Sequence, residues 1–354
     1  MNNWTPAALL PNLHARKPVN GRAVALVPSD DPRILAFCGV HQKLKELLSR
    51  FTDAFGLPLD PMVLIVHDDA LPKLAAVEPL ASFRDLIALS VIPFARSLSI
   101  VYGGKGRDRI YYSNSFWFYP WMLAKDNQHL TMSTPAVQAF HVVEEFCGQS
   151  SPELPTMELA EIDEPLFQIL LKRWERYYLG SHHRREDSVL FRSLNMAVQA
   201  AQLPGGIDVT LYDIGRTIAL WVSACEILAH TPPAGSGVRQ VYALFDQISF
   251  VEPTVRERRY KAKGRRPDRA TLPCWIYGKI YQARNDFLHG NPVRKDRLNF
   301  TGAETSLFWV APCVYRLALT GFLKLSPMEA RPGQFYTDPQ HMMERALMRA
   351  RKRK

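Results

Sequence analysis

The sequence predicts an α+β N-terminal half followed by an all-helical C-terminal half, and three observations lead there. Beyond about residue 156, apolar residues recur at helical spacing in one segment after another. The first 150 residues instead mix such patterns with short β-branched runs bounded by turn residues. Between the two lies Gly148-Gln-Ser-Ser-Pro-Glu-Leu-Pro155, which is polar, twice broken by proline, and reads as a linker. With 354 residues the chain is long enough for two domains. They are placed at 1–150 and 156–325, with 326–354 as a basic C-terminal tail.

In the first half, Pro61 to Val66 (PMVLIV) reads as a buried strand ending in the turn-like His67-Asp68-Asp69. Val40 to Phe55 puts Leu44, Leu47, Leu48 and Phe51 on one helical face. Ser97 to Tyr102 and Arg109 to Tyr112 read as two strands joined by the Gly-rich turn GGKGRD. The aromatic run Phe116 to Trp121 is a core or interdomain surface. In the second half, Pro165 to Tyr178 carries a broad apolar stripe. Ser188 to Gln202 stops at Leu203-Pro-Gly-Gly. Tyr212 to His230 is apolar nearly all round and is expected to be the central helix of a bundle. Val238 to Ile248, Leu272 to His289 and Glu304 to Leu323 complete the helical set.

Composition narrows the class. Hydrophobic residues make up 47% and charged residues 22%, too apolar for a disordered chain. The 44 Lys and Arg outnumber the 34 Asp and Glu to give +10, which favours a polyanionic partner. The excess is local: Arg256 to Arg269 carries +6 and Arg345 to Lys354 another +6, leaving −2 for the rest. Five widely spaced cysteines without a C-x-x-C pair fit a reducing compartment better than a disulfide framework or a zinc knuckle. The N-terminus does not read as a signal peptide. The most apolar run recognised, Ile218 to Leu228, is too short to span a bilayer and carries Glu226. A soluble cytoplasmic protein with no membrane contact is expected.

The chemistry concentrates at Tyr281-Gln-Ala-Arg284-Asn285-Asp286-Phe-Leu-His289-Gly290-Asn-Pro292. Gly290 followed by Pro292 marks a helix end. Asn285 and His289, four apart, share a face, and Arg284 lies about 140° round the helix from His289. The negative end of the helix dipole favours a positive charge on His289. A titratable imidazole with a fixed guanidinium is what phosphodiester cleavage by an internal 2′-hydroxyl needs. The base takes the hydroxyl proton and the cation stabilises charge growing on the phosphorane, without a metal or cofactor. The same residues also fit a plain polar helix terminus, with His289 capping carbonyls and Arg284 paired to Glu226 or Asp286.

Arg284-Asn285-Asp286-Phe287-Leu288-His289 resembles the R-x4-H signature of HEPN domains, with Asn after the Arg and Gly290 after the His. The likeness is closest to the ApeA-like HEPN group, where an upstream helix resembles Trp221-Val-Ser-Ala-Cys-Glu226-Ile-Leu228. It covers about residues 160–325. It implies a HEPN-like helical bundle and a metal-independent endoribonuclease acting as a homodimer on RNA, with roles in phage defence or as a toxin. Catalytically silent members also exist. By that resemblance His289 is the general base or acid and Arg284 the phosphate-stabilising cation. Asn285 and Asp286 orient the RNA or the histidine, and Glu226 is a supporting tether.

Around this motif the basic run offers Arg258, Arg259, Lys261, Lys263, Arg265 and Arg266 as an RNA backbone clamp or as a solvated loop, with Tyr260 able to stack on a base. The Arg349 to Lys354 tail is read as disordered. His141-Val-Val-Glu144-Glu145 has the spacing of a helical metal pair but lacks a second His, so a solvated helix face is expected and no metal site. Gly103-Gly104-Lys105-Gly106 fits a hairpin turn better than a phosphate loop.

Overall fold

A computed structural model of the chain describes residues 3–103, 112–134, 136–151, 156–205, 208–230, 237–262, 269–292, 298–300, 305–327 and 338–351. These gather into two compact units that interleave along the chain: residues 1–84, 114–160 and 174–181 form one, and 85–113, 161–173 and 182–354 the other. The single cut expected at 150–156 therefore does not coincide with either unit's boundary. The N-terminal region carries the strands and the C-terminal region is helical.

In the first unit, a four-stranded antiparallel sheet runs in the spatial order Trp4–Leu10, Met62–His67, Val24–Val27, Val19–Asn20. The central strand is the one the β-branched run MVLIV predicts, and it is buried on both faces from Met62 to Val66. A three-stranded meander follows at Trp121–Leu123, His129–Ser133 and Gln138–Val142. His141 therefore lies in a strand and Glu144 in the short 3-10 turn after it, so the expected helical face does not form. Glu144 pairs instead with Lys43. Gly148–Gln149 pairs in parallel with Phe51–Thr52, which makes the start of the expected linker part of a sheet. Residues 152–155 lie outside the described set.

The helices are α1 (Pro32–Val40), α2 (Gln42–Leu48), α3 (Val77–Tyr102), α4 (Glu164–Trp174), α5 (Arg185–Ala200), α6 (Leu211–Leu228), α7 (Val238–Asp246), the single-turn α8 (Pro253–Arg256), α9 (Leu272–Leu288), α10 (Leu307–Leu323) and α11 (Pro339–Arg351). The pattern from Val40 to Phe55 resolves into α2 and a two-residue strand at Phe51. Ser97 to Tyr102, expected as a strand, is the last part of α3. Most of its hairpin partner and the glycine-rich turn lie outside the described residues. Among the described residues α3 is the helix long and apolar enough to cross a membrane, and 78% of its most apolar stretch is buried inside the fold.

The second unit packs around α6 and α10. Ser193 of α5 donates to or accepts from Tyr315 of α10 at 2.8 Å, and its hydroxyl also bonds the Ala224 carbonyl of α6 at 2.8 Å. Trp221 and Tyr315 meet ring to ring at 5.4 Å. Asp163 caps α4 through the Leu166 N–H at 3.2 Å and forms an ion pair with Arg316 of α10, the two side chains 1% and 3% exposed. Breaking a buried pair from one side leaves the other charge without a partner, a cost of about 3–5 kcal/mol. Asp163→Ala is therefore expected to lower stability by about that amount, read as a fall in the urea midpoint at unchanged slope. An unchanged midpoint would mean that the pair contributes nothing.

The expected tail ends differently from its reading. Residues Met342, Met343, Ala346, Leu347 and Ala350 of α11 are buried. Glu344, fully buried, accepts the N–H groups of Val251 and Glu252 at 3.1 and 2.7 Å and the Gln340 amide at 2.9 Å. Residues up to Arg351 are thus a packed helix, because an apolar stripe runs between the basic positions.

Candidate active site at the tip of helix α9

Helix α9 starts after Thr271 with Pro273 in its first turn, where a missing N–H costs nothing. It stops as the sequence predicts. His289 is the C-cap, with its N–H on the Asn285 carbonyl at 3.0 Å. Gly290 takes a left-handed φ of 69°, a conformation easy for glycine alone. The Asn291 N–H then returns to the Asp286 carbonyl at 3.1 Å, a Schellman-type closure that uses up the orphan carbonyls and fixes the tip.

Helix α6 runs antiparallel to α9. Near one end, Phe287 lies against Gly215, where a Cβ would stand 2.2 Å from the ring. Toward the other, burial raises the Tyr277 phenol well above its ordinary range, and neighbouring Cys225 and Glu226 add to the rise. The absence of a side chain at Gly215 is what lets the motif end of α9 approach α6.

The side chains of the motif divide across α9. His289 is exposed. Arg284 points to the other side, into the seam with α6, as the 140° offset requires. Its Nη1 donates to Asn285 Oδ1 at 2.9 Å, its guanidinium lies 5.8 Å from the Tyr281 ring centre, and its Nε is shut from solvent without a partner. Glu226 faces it electrostatically: burial raises the Glu226 carboxyl above its usual range, and the positive charge of Arg284 opposes the rise. Among the described residues no ion pair within 4.0 Å joins the two, and no hydrogen bond or ring contact joins Arg284 to His289.

The structure therefore brings Arg284, Asn285 and Glu226 together and holds His289 apart, linked to them through the Asn285 backbone. Asp286 serves the helix stop: its Oδ1 accepts the Asn291 side-chain amide at 3.3 Å. The sequence reading did not single out Tyr277 and Tyr281 as site residues. Their spacing to Arg284, at i−7 and i−3, puts all three on one side of α9, and the Tyr277 hydroxyl is a second buried polar group there without a partner.

Of the basic candidates, Arg258 pairs with Asp246 at 3.0 Å and Arg259 with Glu257 at 3.1 Å, while Lys261 is exposed. Lys263, Arg265 and Arg266 lie outside the described residues. Tyr260 is not open to a base: it is 8% exposed and stacks on Trp275 of α9 at 5.5 Å. Among the described residues no group of three or more His, Cys, Asp or Glu is arranged to hold a metal ion. No protein-family model matches the chain, and neither a curated protein nor a solved structure does.

Proposed function

We propose that the chain is a HEPN-type endoribonuclease that cuts RNA by attack of an internal 2′-hydroxyl, without a metal, and works as a cytoplasmic homodimer. The observation that carries this reading is an exposed imidazole on the closed tip of α9, with a guanidinium bonded to Asn285 on the opposite side of the same helix end and within electrostatic reach of Glu226. His289 takes the 2′-hydroxyl proton, the oxygen attacks phosphorus, and the P–O5′ bond breaks as the 5′-oxygen takes a proton from water, giving a 2′,3′-cyclic phosphate and a 5′-hydroxyl. Arg284 supplies the charge opposite the growing negative phosphorane. Because Arg284 lies across the helix from His289, the reading needs a second copy of the chain to close the site, as the HEPN resemblance implies. The strand-rich N-terminal region then senses a trigger or restrains the nuclease, consistent with a role in phage defence or as a toxin.

A second reading, a catalytically silent nucleic-acid-binding or protein-interaction module, is favoured by the bond of Arg284 to Asn285 and its partly buried place near the charge of Glu226, which suit a structural cation. Incubating the full chain with labelled RNA in EDTA separates the two. The nuclease reading predicts fragments ending in a cyclic phosphate. Binding with intact RNA supports the module, and cutting abolished by EDTA points to a metal-dependent hydrolase.

A further inference from the structure

The two stretches that hold the positive excess, far apart in sequence, meet at one side chain. Tyr260 closes the base of the basic loop through a bridge to Ala270, with N–H to carbonyl distances of 3.1 and 2.8 Å. Its hydroxyl accepts Arg259 Nε at 3.1 Å and Arg351 Nη1, from the end of α11, at 2.6 Å. Both guanidinium groups also lie beside the phenol ring, 5.4 and 5.0 Å from its centre. Two like charges thus share one oxygen. Both lone pairs of that oxygen are taken by donors, so its own proton is left to donate, and it has no acceptor among the described residues.

The stack continues the positive surface onto α9. Trp275 stacks with Tyr260 and with Phe300, at 5.5 and 5.9 Å, and the Lys279 ammonium sits 5.9 Å from the indole centre. Among the described residues no carboxylate lies within ion-pairing distance of Arg351 or Lys279, and Glu257 answers Arg259 alone. From Trp275, the residues Lys279, Gln282, Asp286 and His289 follow one stripe of α9, with Lys279, Gln282 and His289 exposed. The stripe is about 21 Å long at 1.5 Å per residue, roughly six stacked nucleotides at about 3.4 Å each.

We propose that Arg259, Tyr260 and Arg351, extended by Lys279, form a binding site for the phosphodiester backbone of a single-stranded nucleic acid that runs along this stripe to His289. The remaining N–H groups of Arg351, the Nη2 of Arg259 that Tyr260 and Glu257 leave open, and the phenol proton supply donors for one phosphate, and charge-assisted bonds of this kind are the strong ones. Lys279 meets the next phosphates as a point charge. The aromatic stack acts as the pedestal that fixes the cations, since Trp275 already stacks with Tyr260 and with Phe300. The inference rests on the nuclease reading only for the direction of the strand toward His289.

The test uses full-length His289→Ala, so that no substrate is cut, and fluorescein-labelled single-stranded RNA and DNA twelve-mers, with anisotropy followed over a range of salt. Tyr260→Phe keeps the stack and removes the hydroxyl, and is expected to weaken binding about tenfold or more. Lys279→Gln and Arg351→Gln are each expected to flatten the slope of log affinity against log salt by about 0.7. Lys279 is exposed and makes no ion pair among the described residues, so its variant separates charge from folding. Equal binding of RNA and DNA supports recognition through the phosphate alone. RNA binding alone supports the same site with a 2′-hydroxyl contact. Unchanged affinity and slope in all three variants overturns the site, as does binding of polyglutamate but of neither nucleic acid. A wild-type chain that binds with this salt dependence yet never cuts contradicts the nuclease reading and leaves the site standing.

Discussion

Gly321→Ala is expected to destabilise the helical unit by about 3 kcal/mol or more. Helix α10 crosses α7 at Gly321, and a Cβ there would stand 2.2 Å from the Leu244 carbonyl oxygen and 2.9 Å from its carbon. Both are backbone atoms of α7, so no rotamer change relieves the clash, and the two helices must move apart through a buried interface. Alanine is otherwise the better helix residue by about 1 kcal/mol, so the sign of the effect reports the packing alone. Gly39→Ala in α1 is the matched control, with nothing within 4 Å of the added carbon. It should be neutral or slightly stabilising. Thermal and urea unfolding of the two variants against the wild type checks both, and a Gly321→Ala chain as stable as the parent would mean that α7 and α10 do not approach this closely.

How far the sequence revealed this arrangement depends on how local each signal is. The C-terminal end of α9 was legible because Gly290 and Pro292 act on neighbouring backbone. The strand Met62–His67 was legible because a short β-branched run between turns has few other solutions. The end of α3 was not. Residues 85–97 are buried at every position, so no polar face marks a helical period, and the β-branched Ile100 and Val101 suggested a strand instead. Helix α11 was hidden by its charge: the apolar positions Met342, Met343, Ala346, Leu347 and Ala350 form a stripe, but the basic residues between them suggested a free tail. The order of the four-stranded sheet depends on pairings between Trp4–Leu10 and Met62–His67 that no local pattern encodes.

The candidate site divides in the same way. The spacing from Arg284 to His289 and the glycine after it identified the tip, and an acid inside the apolar α6 pointed to a cationic partner, which Arg284 provides at a distance. The fate of Tyr260 could not be read, because its stacking partner Trp275 and its hydrogen-bond donor Arg351 lie in other elements.

The largest functional effect is expected at His289. Loss of a positioned general acid or base lowers the rate about 10²–10⁴-fold. The exposed imidazole makes no hydrogen bond or ion pair among the described residues, so His289→Ala should fold as the wild type does. Arg284→Ala should lose transition-state charge stabilisation, about 10²–10³-fold by analogy with removal of one oxyanion donor. It also releases Asn285 and leaves Glu226 without its nearby charge, so folding must be checked by thermal unfolding. Arg284→Lys keeps the charge without the planar fork and should fall between the two. The most direct test is single-turnover cleavage of end-labelled RNA in EDTA by the wild type, His289→Ala and Arg284→Ala, each at saturating protein. The account predicts cyclic-phosphate fragments from the wild type, at least a hundredfold slower cutting by both variants, and no change in RNA affinity for His289→Ala. Equal cutting by wild type and His289→Ala would contradict it.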